Sequence, residues 1–337
     1  MTKLKEPVEF EEISRPKTRT RRVLSIQSHV VHGYVGNKAA TFPLQYRSWD
    51  VDALNTVQFS NHPGYGSFSG FRSKAGDIDD ILEKGLLNGL HMKYDAVMIG
   101  YLPCVESLKI TGQRIGALCR QDPQIKWILD PVLGDNGKLY VAEEIVPIYK
   151  KILQNSGVFL VTPNQFEMEI LTDVKIDSLD ALWTSFEQFH QKYPKVDKIV
   201  VTSLEFPVSQ EHAERYIYSA CYDTTATSGR INYFKVPKID AHFSGSGDLF
   251  NALLLDLVLP VDYTESIDLP NTLWTVLLLV DKILRRTLQL SYSQDPSTKS
   301  SVVINDLKLI QCQELLDPSC QIEEPFNAIK MPQESIK

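Results

Sequence analysis

The sequence predicts an α/β fold in which a mostly parallel sheet is covered by helices on both faces and carries an antiparallel edge. Two observations lead to this prediction. Short apolar runs alternate with amphipathic stretches along most of the 337 residues, as in chains built from strand–helix–strand units. Late in this pattern, segments 215–222 and 231–236 alternate between apolar and polar residues with no helix between them, which is typical of antiparallel strands.

The individual elements follow from the periodicity of each segment. Strands are predicted where a short run is apolar or alternating, and helices where apolar residues recur every three to four positions. The predicted strands are 23–26, 51–57, 96–100, 127–130, 158–161, 198–202, 215–222 and 231–236. The predicted helices are 37–46, 77–90, 106–119, 145–154, 165–171, 179–192, 246–259 and 272–288, with one last helix at 306–316.

Composition divides the chain into a tail, a domain and an extension. Residues 1–21 hold four glutamates and no apolar core segment, so we expect a disordered tail and neither a secretory nor a mitochondrial signal. The alternating strands and helices predict a domain over residues 22–290. The stretch 291–300 is polar and contains a proline, so residues 291–337 are expected to form a linker and a helical extension.

Charge and cysteine content argue against several classes of protein. The formal net charge is −7 and the basic residues are spread along the chain, so we expect no nucleic-acid partner. The most apolar stretch, 273–280, is far shorter than the roughly 20 residues of a membrane span, so no membrane partner is expected. The five cysteines form no Cys-x-x-Cys pair, which indicates a reduced intracellular protein without a zinc site. We expect a cytoplasmic protein, with the nucleus as a second compartment.

The strongest local signal is the string Gly245-Ser246-Gly247-Asp248 at the start of an apolar helix. Such a turn exposes backbone N–H groups where the helix dipole attracts anions such as phosphate. Asp248 would stand beside a bound phosphoryl group, where it could accept the proton of an attacking hydroxyl or orient that hydroxyl. An ordinary helix cap with an acid in its first turn is the alternative, and the spacing alone leaves both open.

Polar residues follow three other predicted strands. Asp130 and Asp135 flank a turn, where they could hold Mg²⁺ or simply face water. The string 162–167, Thr-Pro-Asn-Gln-Phe-Glu, is typical of a helix cap, a role that could coexist with one toward phosphate and metal. Thr202 and Ser203 could contact nucleotide phosphates or form a plain turn. Because ligands bind beyond the carboxyl ends of strands in such folds, these residues predict one ligand site.

The first predicted strand leads into a glycine-bearing segment that could line a pocket for a small molecule. Segment 25–29 is followed by Gly33 and Gly36 before the first helix. The segment lacks the third glycine of a dinucleotide-binding turn. The chain also has no Walker-type phosphate loop and no protein-kinase signature. His29 and His62 have no partners at metal-ligand spacing and are expected in loops or the core.

Taken together, these strings resemble the pyridoxal kinases of the ribokinase-like superfamily. They occur in the family's order and spacing over about residues 22–290, and the first three favour pyridoxal kinase within the superfamily. The matching strings are 25–30 (SIQSHV), 33–45 (GYVGNKAATFPLQ), 57–62 (VQFSNH), 130–135 (DPVLGD), 162–167 (TPNQFE) and 245–250 (GSGDLF).

The resemblance implies a fold, an activity and an assembly. The fold would be a ribokinase-like three-layer sandwich. The activity would be ATP-dependent phosphorylation of the 5′-hydroxymethyl group of pyridoxal, pyridoxine and pyridoxamine, in the salvage of vitamin B6 to pyridoxal 5′-phosphate. The family is homodimeric and uses Mg²⁺ together with K⁺ or Na⁺, so the same is expected here.

The resemblance also implies a role for particular residues. Asp248 matches the base that takes the proton of the hydroxymethyl group. The anion hole for the transferring phosphoryl group matches Gly245, Ser246 and Gly247. The ATP contacts match Asp130, Asn164, Gln165, Phe166, Glu167, Thr202, Ser203, Ile239, Asp240, Ala241 and Ser246. The metal positions match Asp130, Asp135, Thr162 and Glu167. The vitamer contacts match Ser28, Val35, Phe59, Pro63, Tyr101 and Asp248.

Two departures from the family and two rival functions bear on this interpretation. Pro63 stands where many members have a threonine that hydrogen-bonds the substrate ring, and proline has no donor. The segment 136–140 is shorter than in animal relatives, which predicts a smaller lid over ATP.

A hydroxymethylpyrimidine kinase often has cysteine in place of the aspartate, so Asp248 argues against it. A catalytically inactive B6-binding protein would show damage at Asp248, its glycines or the acids of 130–135, and none is visible.

Overall fold

The computed structural model describes residues 20–205, 216–226, 231–259, 267–292 and 302–319. Within these ranges the strands are β1 (Arg21–Val30), β2 (Trp49–Phe59), β3 (Gly70–Arg72), β4 (Ala96–Ile99), β5 (Lys126–Leu129), β6 (Gly134–Asp135), β7 (Lys138–Leu139), β8 (Leu160–Val161), β9 (Lys198–Leu204), β10 (Tyr216–Asp223), β11 (Ile231–Pro237), β12 (Ala241–Phe243) and β13 (Val302–Ile304). The α-helices are α1 (Asn37–Tyr46), α2 (Ala75–Asp79), α3 (Val105–Gln121), α4 (Ile145–Asn155), α5 (Gln165–Thr172), α6 (Leu179–Lys192), α7 (Ser246–Val258) and α8 (Leu269–Tyr292).

Nine of these strands form one sheet in the order β11-β10-β9-β8-β5-β4-β1-β2-β3. The six strands from β9 to β2 are parallel, as expected where helices connect successive apolar strands. At one edge β10 and β11 run antiparallel, which confirms the predicted edge. The opposite edge carries β3, a short antiparallel strand that was not predicted.

The core lies on both faces of the sheet, because neighbouring residues of a strand point to opposite sides. In β5, Trp127 and Leu129 belong to a buried apolar cluster that includes side chains of α3, α4, α5 and α6. Ile128, between them, belongs to a second cluster with side chains of α1, α7 and α8. Two helical layers therefore cover one sheet, which confirms the predicted three-layer sandwich.

Some predicted elements differ in the structure. The predicted helix 77–90 is split, since α2 ends at Asp79 and continues as a π-helical stretch, Asp80–Leu87. The predicted last helix at 306–316 is a 3₁₀ helix confined to Ile310–Leu316. The hairpin of β6 and β7 was not predicted, nor was the pairing of β12 with β13.

Both ends of the described chain pack onto the sandwich. Strand β1 begins at Arg21, one residue before the predicted start of the domain. After the gap, β13 pairs with β12 in parallel, and Leu307 and Leu309 are fully buried. The predicted tail up to residue 19, the predicted linker from residue 293 to 300 and residues 320–337 lie outside the described residues. Among the helices that the structure describes, none has the length and apolarity needed to cross a bilayer.

A buried charge cluster ties several of these elements together. The carboxylate of Asp256, on α7, accepts hydrogen bonds from Arg21 Nη2 at 2.6 Å, from Trp49 Nε1 at 2.8 Å and from Arg47 Nε. Arg47 Nη1 also donates to the carbonyl of Leu316 at 2.8 Å. The start of β1, the end of α1, the start of β2 and the C-terminal segment therefore all converge on one helix.

Candidate active site

The start of α7 forms the turn that was predicted to bind an anion, called the anion-binding turn below, at the carboxyl edge of the sheet. Gly245 is the N-cap residue with φ of 82°, a left-handed conformation that glycine adopts without strain. A Cβ at this position would overlap the carbonyl oxygen of Tyr34. Because the first N–H groups of a helix have no partner within it, the backbone at Ser246 and Gly247 offers donors to a bound anion.

Asp248, in the first turn of α7, is the carboxylate next to these donors. Its Oδ2 accepts a hydrogen bond from the backbone N–H of Gly36 at 2.7 Å. Burial raises the pKa of Asp248 to about 6, and the bond from Gly36 offsets part of that rise. The side chain is thus a stronger base than a surface aspartate and is still ionised at neutral pH.

Asp130 follows β5 and lies near two other carboxylates. Burial raises its pKa well above the ordinary value, and the charges of Glu167 and Asp248 raise it further. The amide of Asn251 donates to Asp130 Oδ2 at 2.7 Å, which favours the ionised form. Like charges held together in this way are stabilised by a cation or by protonation.

Glu167 fixes the loop that leaves β5. Its Oε1 accepts from the N–H groups of Leu133 at 2.8 Å and Gly134 at 3.3 Å, and its Oε2 accepts from Asn164 N at 2.9 Å. Asn164 caps α5 in return and donates its side-chain amide to the carbonyl of Gly134 at 2.8 Å. Burial raises the pKa of Glu167, while the three N–H groups lower it. Both carboxylate oxygens are thus engaged by the backbone.

Three of the residues at the predicted metal and nucleotide positions lie beside this loop. Thr162 is 4% exposed, and its buried hydroxyl has no hydrogen-bond partner within the described part of the chain. Thr202 forms a parallel bridge with Asn164. Ser203, next to it, is exposed with a φ of 55°, a strained conformation that is often found at functional sites.

The other predicted nucleotide and metal residues lie further from this centre or serve the fold. Gln165 donates to the carbonyl of Ile176 at 2.8 Å and accepts from Glu205 N at 2.7 Å, so its side chain joins α5 to neighbouring segments. The carboxylate of Asp135 accepts from Asn136 N at 2.7 Å. Four more predicted residues are not buried: Phe166, Ile239 and Ala241 are half-buried, and Asp240 is exposed.

The predicted vitamer residues are brought together in part. Val35 and Phe59 are buried in a small apolar cluster with Val30 and Val57, and Tyr101 packs against it. Ser28 lies where the pairing of β1 with β2 changes register, an irregularity that re-aims side chains. Pro63 is exposed and begins a 3₁₀ turn, Pro63–Tyr65.

Two further residues at the site were not assigned from the sequence. Gly36 was recognised only as part of a glycine-bearing string, and its bond to Asp248 spans 212 positions. Asn251 was not singled out at all. Its signal was present, because residues three apart on a helix share a face, and Asn251 stands three residues after Asp248.

Comparisons with known proteins identify the family of this chain. A family model described as "Phosphomethylpyrimidine kinase" matches residues 81–258. The Saccharomyces cerevisiae protein "Putative pyridoxal kinase BUD17" is 52% identical over 88% of this chain and 93% of its own length. Human pyridoxal kinase is 34% identical over 90% of this chain and 97% of its own length. The structure of pyridoxal kinase from Leishmania donovani in complex with ADP and pyridoxine matches with a TM-score of 0.74 at 29% identity, over 89% of this chain and 97% of that one.

Proposed function

The chain belongs to the pyridoxal kinases of the ribokinase-like superfamily, and we propose that it transfers the γ-phosphoryl group of ATP to the 5′-hydroxymethyl group of B6 vitamers. One observation carries this proposal. At the carboxyl edge of a parallel sheet, the anion-binding turn meets the half-buried carboxylates of Asp248 and Asp130 and the buried carboxylate of Glu167. This set supplies what phosphoryl transfer needs, which is positioning together with compensation of charge.

Asp248 is the residue that takes the proton of the vitamer's hydroxyl group. Its pKa near 6 leaves it ionised at neutral pH and close enough to that pH to accept a proton in the transition state. The bond from Gly36 N holds Oδ2 in place, which leaves Oδ1 for the hydroxyl. The backbone N–H groups of Gly245, Ser246 and Gly247 would donate hydrogen bonds to the oxygens of the transferring phosphoryl group and so stabilise its charge. One such donor is typically worth about 10²–10³ in rate.

ATP would lie along the loop after β5 and the ends of β8 and β9. Asn164, Glu167, Thr202 and Ser203 line this edge, with Gln165 and Phe166 at the start of α5. On the strength of the family resemblance, Ile239, Asp240 and Ala241 are proposed to contact the adenosine. Because both oxygens of Glu167 already accept backbone bonds, Glu167 acts on the nucleotide by shaping the 130–135 loop.

The residues present fit a divalent and a monovalent cation. The described residues contain no group of three or more His, Cys, Asp and Glu that forms a closed metal cage. That is compatible with Mg²⁺, which keeps water and phosphate ligands and needs only one or two carboxylates. We propose Asp130 and Asp135, with Glu167 through water, for Mg²⁺, and the unpaired hydroxyl of Thr162 for K⁺ or Na⁺. Bound Mg²⁺ would neutralise charge on the β- and γ-phosphates.

The vitamer would sit against Val35, Phe59 and Tyr101, with Ser28 and Asp248 as its polar contacts. Pyridoxal, pyridoxine and pyridoxamine are all proposed as substrates.

Replacing Pro63 by threonine restores a hydroxyl at this position, so we expect Pro63→Thr to lower the KM for pyridoxal and leave the KM for ATP unchanged. Steady-state kinetics check this, and an unchanged KM for pyridoxal would remove residue 63 from the pocket.

Hydroxymethylpyrimidine phosphorylation is the second candidate, since the matching family model carries a related name. Asp248 argues against it, because that activity often uses a cysteine at this position. We further propose, on the strength of the family resemblance, that the enzyme is a homodimer. A cytoplasmic location is proposed because the sequence contains no Cys-x-x-Cys pair.

The pH dependence of catalysis follows from the pKa of Asp248. With saturating Mg-ATP, kcat/KM for pyridoxal is expected to rise with pH, with a midpoint near pH 6, because only the ionised form of Asp248 accepts the proton and kcat/KM reports the enzyme without bound vitamer. Below the midpoint kcat/KM should fall about tenfold per pH unit. A kcat/KM that does not change between pH 5 and pH 7 would contradict the assignment of Asp248 as the base.

Glu167→Gln should weaken ATP binding. Glutamine keeps the size of the side chain but replaces one acceptor oxygen by a donor, so at least one of the N–H groups of Leu133, Gly134 or Asn164 loses its partner. We expect the KM for ATP to rise about tenfold, as for a lost hydrogen bond to a charged acceptor, with a smaller change in kcat. The control is Asp173→Asn at the C-terminal end of the same helix, where the exposed carboxylate pairs with Lys192 at 2.6 Å. Equal effects of the two variants would refute the role of Glu167.

A further inference from the structure

The C-terminal segment 302–316, called the strap below, reaches the vitamer side of the proposed site. Its strand β13 lies beside β12, and Ser244 N donates to the carbonyl of Ile304 at 3.0 Å. Gly245 of the anion-binding turn follows immediately. Beyond residue 306 the strap is anchored by buried Leu307, Leu309, Cys312 and Leu316. Its position relative to the active site is therefore fixed at both ends.

Asp306 is the one strap residue whose carboxylate contacts two separate loops. Its Oδ2 accepts a hydrogen bond from the hydroxyl of Tyr65 and lies 3.3 Å from His32 Nε2. Burial and the nearby carboxylate raise the pKa of Tyr65, so the tyrosine keeps its proton and donates. Asp306 also covers Gly33, where a Cβ would overlap its Oδ1. Its side chain is only 19% exposed, although it lies at the surface end of the strap.

The two loops that Asp306 contacts carry residues of the proposed vitamer pocket. His32 and Gly33 precede Val35 and Gly36, the latter being the donor to Asp248. Tyr65 belongs to the same 3₁₀ turn as Pro63. His62 also fixes that turn. Its Nδ1 accepts a hydrogen bond from Gly64 N at 3.1 Å and lies 3.3 Å from Ser244 Oγ.

We propose that Asp306 is a positioning residue for the vitamer. By binding Tyr65 and His32, it holds the 31–36 loop and the 62–66 turn at the separation that the vitamer pocket between them requires. The inference rests on the proposed function, since it concerns the vitamer side of the same site. Within the described residues, the hydrogen bond and the ion pair of the Asp306 side chain go to Tyr65 and His32, and not to the anion-binding turn or the nucleotide edge. Its loss should therefore act on vitamer binding and leave ATP binding unchanged.

The test compares Asp306→Ala, Asp306→Asn and Tyr65→Phe with the wild-type enzyme. Asp306→Ala should raise the KM for pyridoxal about tenfold, with the KM for ATP changed less than about twofold. Asp306→Asn keeps an acceptor for Tyr65 and should recover most of the loss. Tyr65→Phe should raise the same KM by a smaller factor, and adding it to Asp306→Ala should have no further effect, because both remove one interaction.

Glu314→Gln is the matched control. It breaks an exposed strap ion pair, Arg286 with Glu314 at 2.6 Å, and should leave both KM values unchanged. If Asp306→Ala folds but keeps the wild-type KM for pyridoxal, or raises both KM values equally, the inference is wrong. Should Asp306→Ala fail to fold, an unchanged KM for pyridoxal in Tyr65→Phe has the same meaning.

Vitamer binding without ATP separates this inference from the proposed function. The readout is the shift in melting temperature that pyridoxal produces in each variant. If the wild-type protein binds pyridoxal but does not turn it over, the proposed kinase activity fails. The inference is then supported if Asp306→Ala reduces the shift in melting temperature, and contradicted if the shift equals that of the wild-type protein. If the wild-type protein neither binds nor turns over any vitamer, both are overturned.

Discussion

Asp248→Asn is expected to abolish phosphoryl transfer and, at the same time, to make the protein more stable. The amide cannot take a proton from the hydroxymethyl group, so kcat should fall by about 10²–10⁴. The side chain can still accept the bond from Gly36 N, so the start of α7 and the binding of ATP should be retained. A variant with near wild-type kcat would show that Asp248 is not the base.

The gain in stability follows from the pKa of the same group. The pKa of Asp248 is about 6 in the folded protein and about 3.9 in an unfolded chain. Above pH 6 the carboxylate is charged in both states, and its burial destabilises the fold by roughly 1–3 kcal/mol. As the pH falls through 6 the folded state takes up the proton first, and this penalty is lost by about pH 4. The variant should therefore unfold at a higher temperature than the wild type at pH 8, and at nearly the same temperature at pH 4. An equal difference at both pH values would contradict this explanation.

Asp256→Ala is expected to be the most destabilising single substitution considered for this chain. The variant removes the carboxylate that forms ion pairs with Arg21 and Arg47, whose side chains are only 9% and 7% exposed. Breaking a buried ion pair in this way typically costs about 3–5 kcal/mol, because the remaining charge is buried without compensation. The free energy of unfolding, measured by denaturant titration, should fall by this amount. The KM for each substrate should not change at temperatures where the variant is folded.

The control for this prediction is the exposed pair of Arg22 and Asp50. Their side chains are 36% and 54% exposed at a distance of 2.6 Å, and such pairs contribute less than about 1 kcal/mol. Asp50→Ala should therefore have a small effect. If both aspartate variants lower the free energy of unfolding by the same amount, burial does not explain how much the Asp256 cluster contributes to stability.

The parallel sheet could be predicted because its strands are short apolar runs separated by helical segments, a pattern contained in each local stretch. The π-helical continuation of α2 could not, since over two turns its hydrophobic spacing is close to that of an α-helix. Strand β3 has exposed residues throughout and gives no burial signal. The pairing of β13 with β12 joins residues about 60 positions apart along the chain, so no local pattern indicates it.

In the candidate site, too, local sequence patterns predict some features, whereas others depend on contacts that only the fold creates. The turn from Gly245 to Asp248 at the start of α7 could be predicted, because its glycines and aspartate are adjacent in sequence. The string 162–167 also predicted a helix cap, and the structure shows that Asn164 and Glu167 are the pair that forms it. The bonds of Asn251 to Asp130 and of Tyr65 to Asp306 span 121 and 241 positions. Only the fold brings them together. The roles of the individual residues in ATP, metal and vitamer binding stay predictions.

The central claim is most directly tested by the release of ADP from the purified protein with Mg-ATP and K⁺, with pyridoxal, pyridoxine, pyridoxamine and hydroxymethylpyrimidine measured side by side. We expect turnover that depends on a B6 vitamer, is lost in Asp248→Asn and is much weaker with hydroxymethylpyrimidine. Turnover with hydroxymethylpyrimidine alone would contradict the account in favour of the second candidate. Turnover with none of the four compounds by a folded protein that still binds pyridoxal would indicate a B6-binding protein without kinase activity.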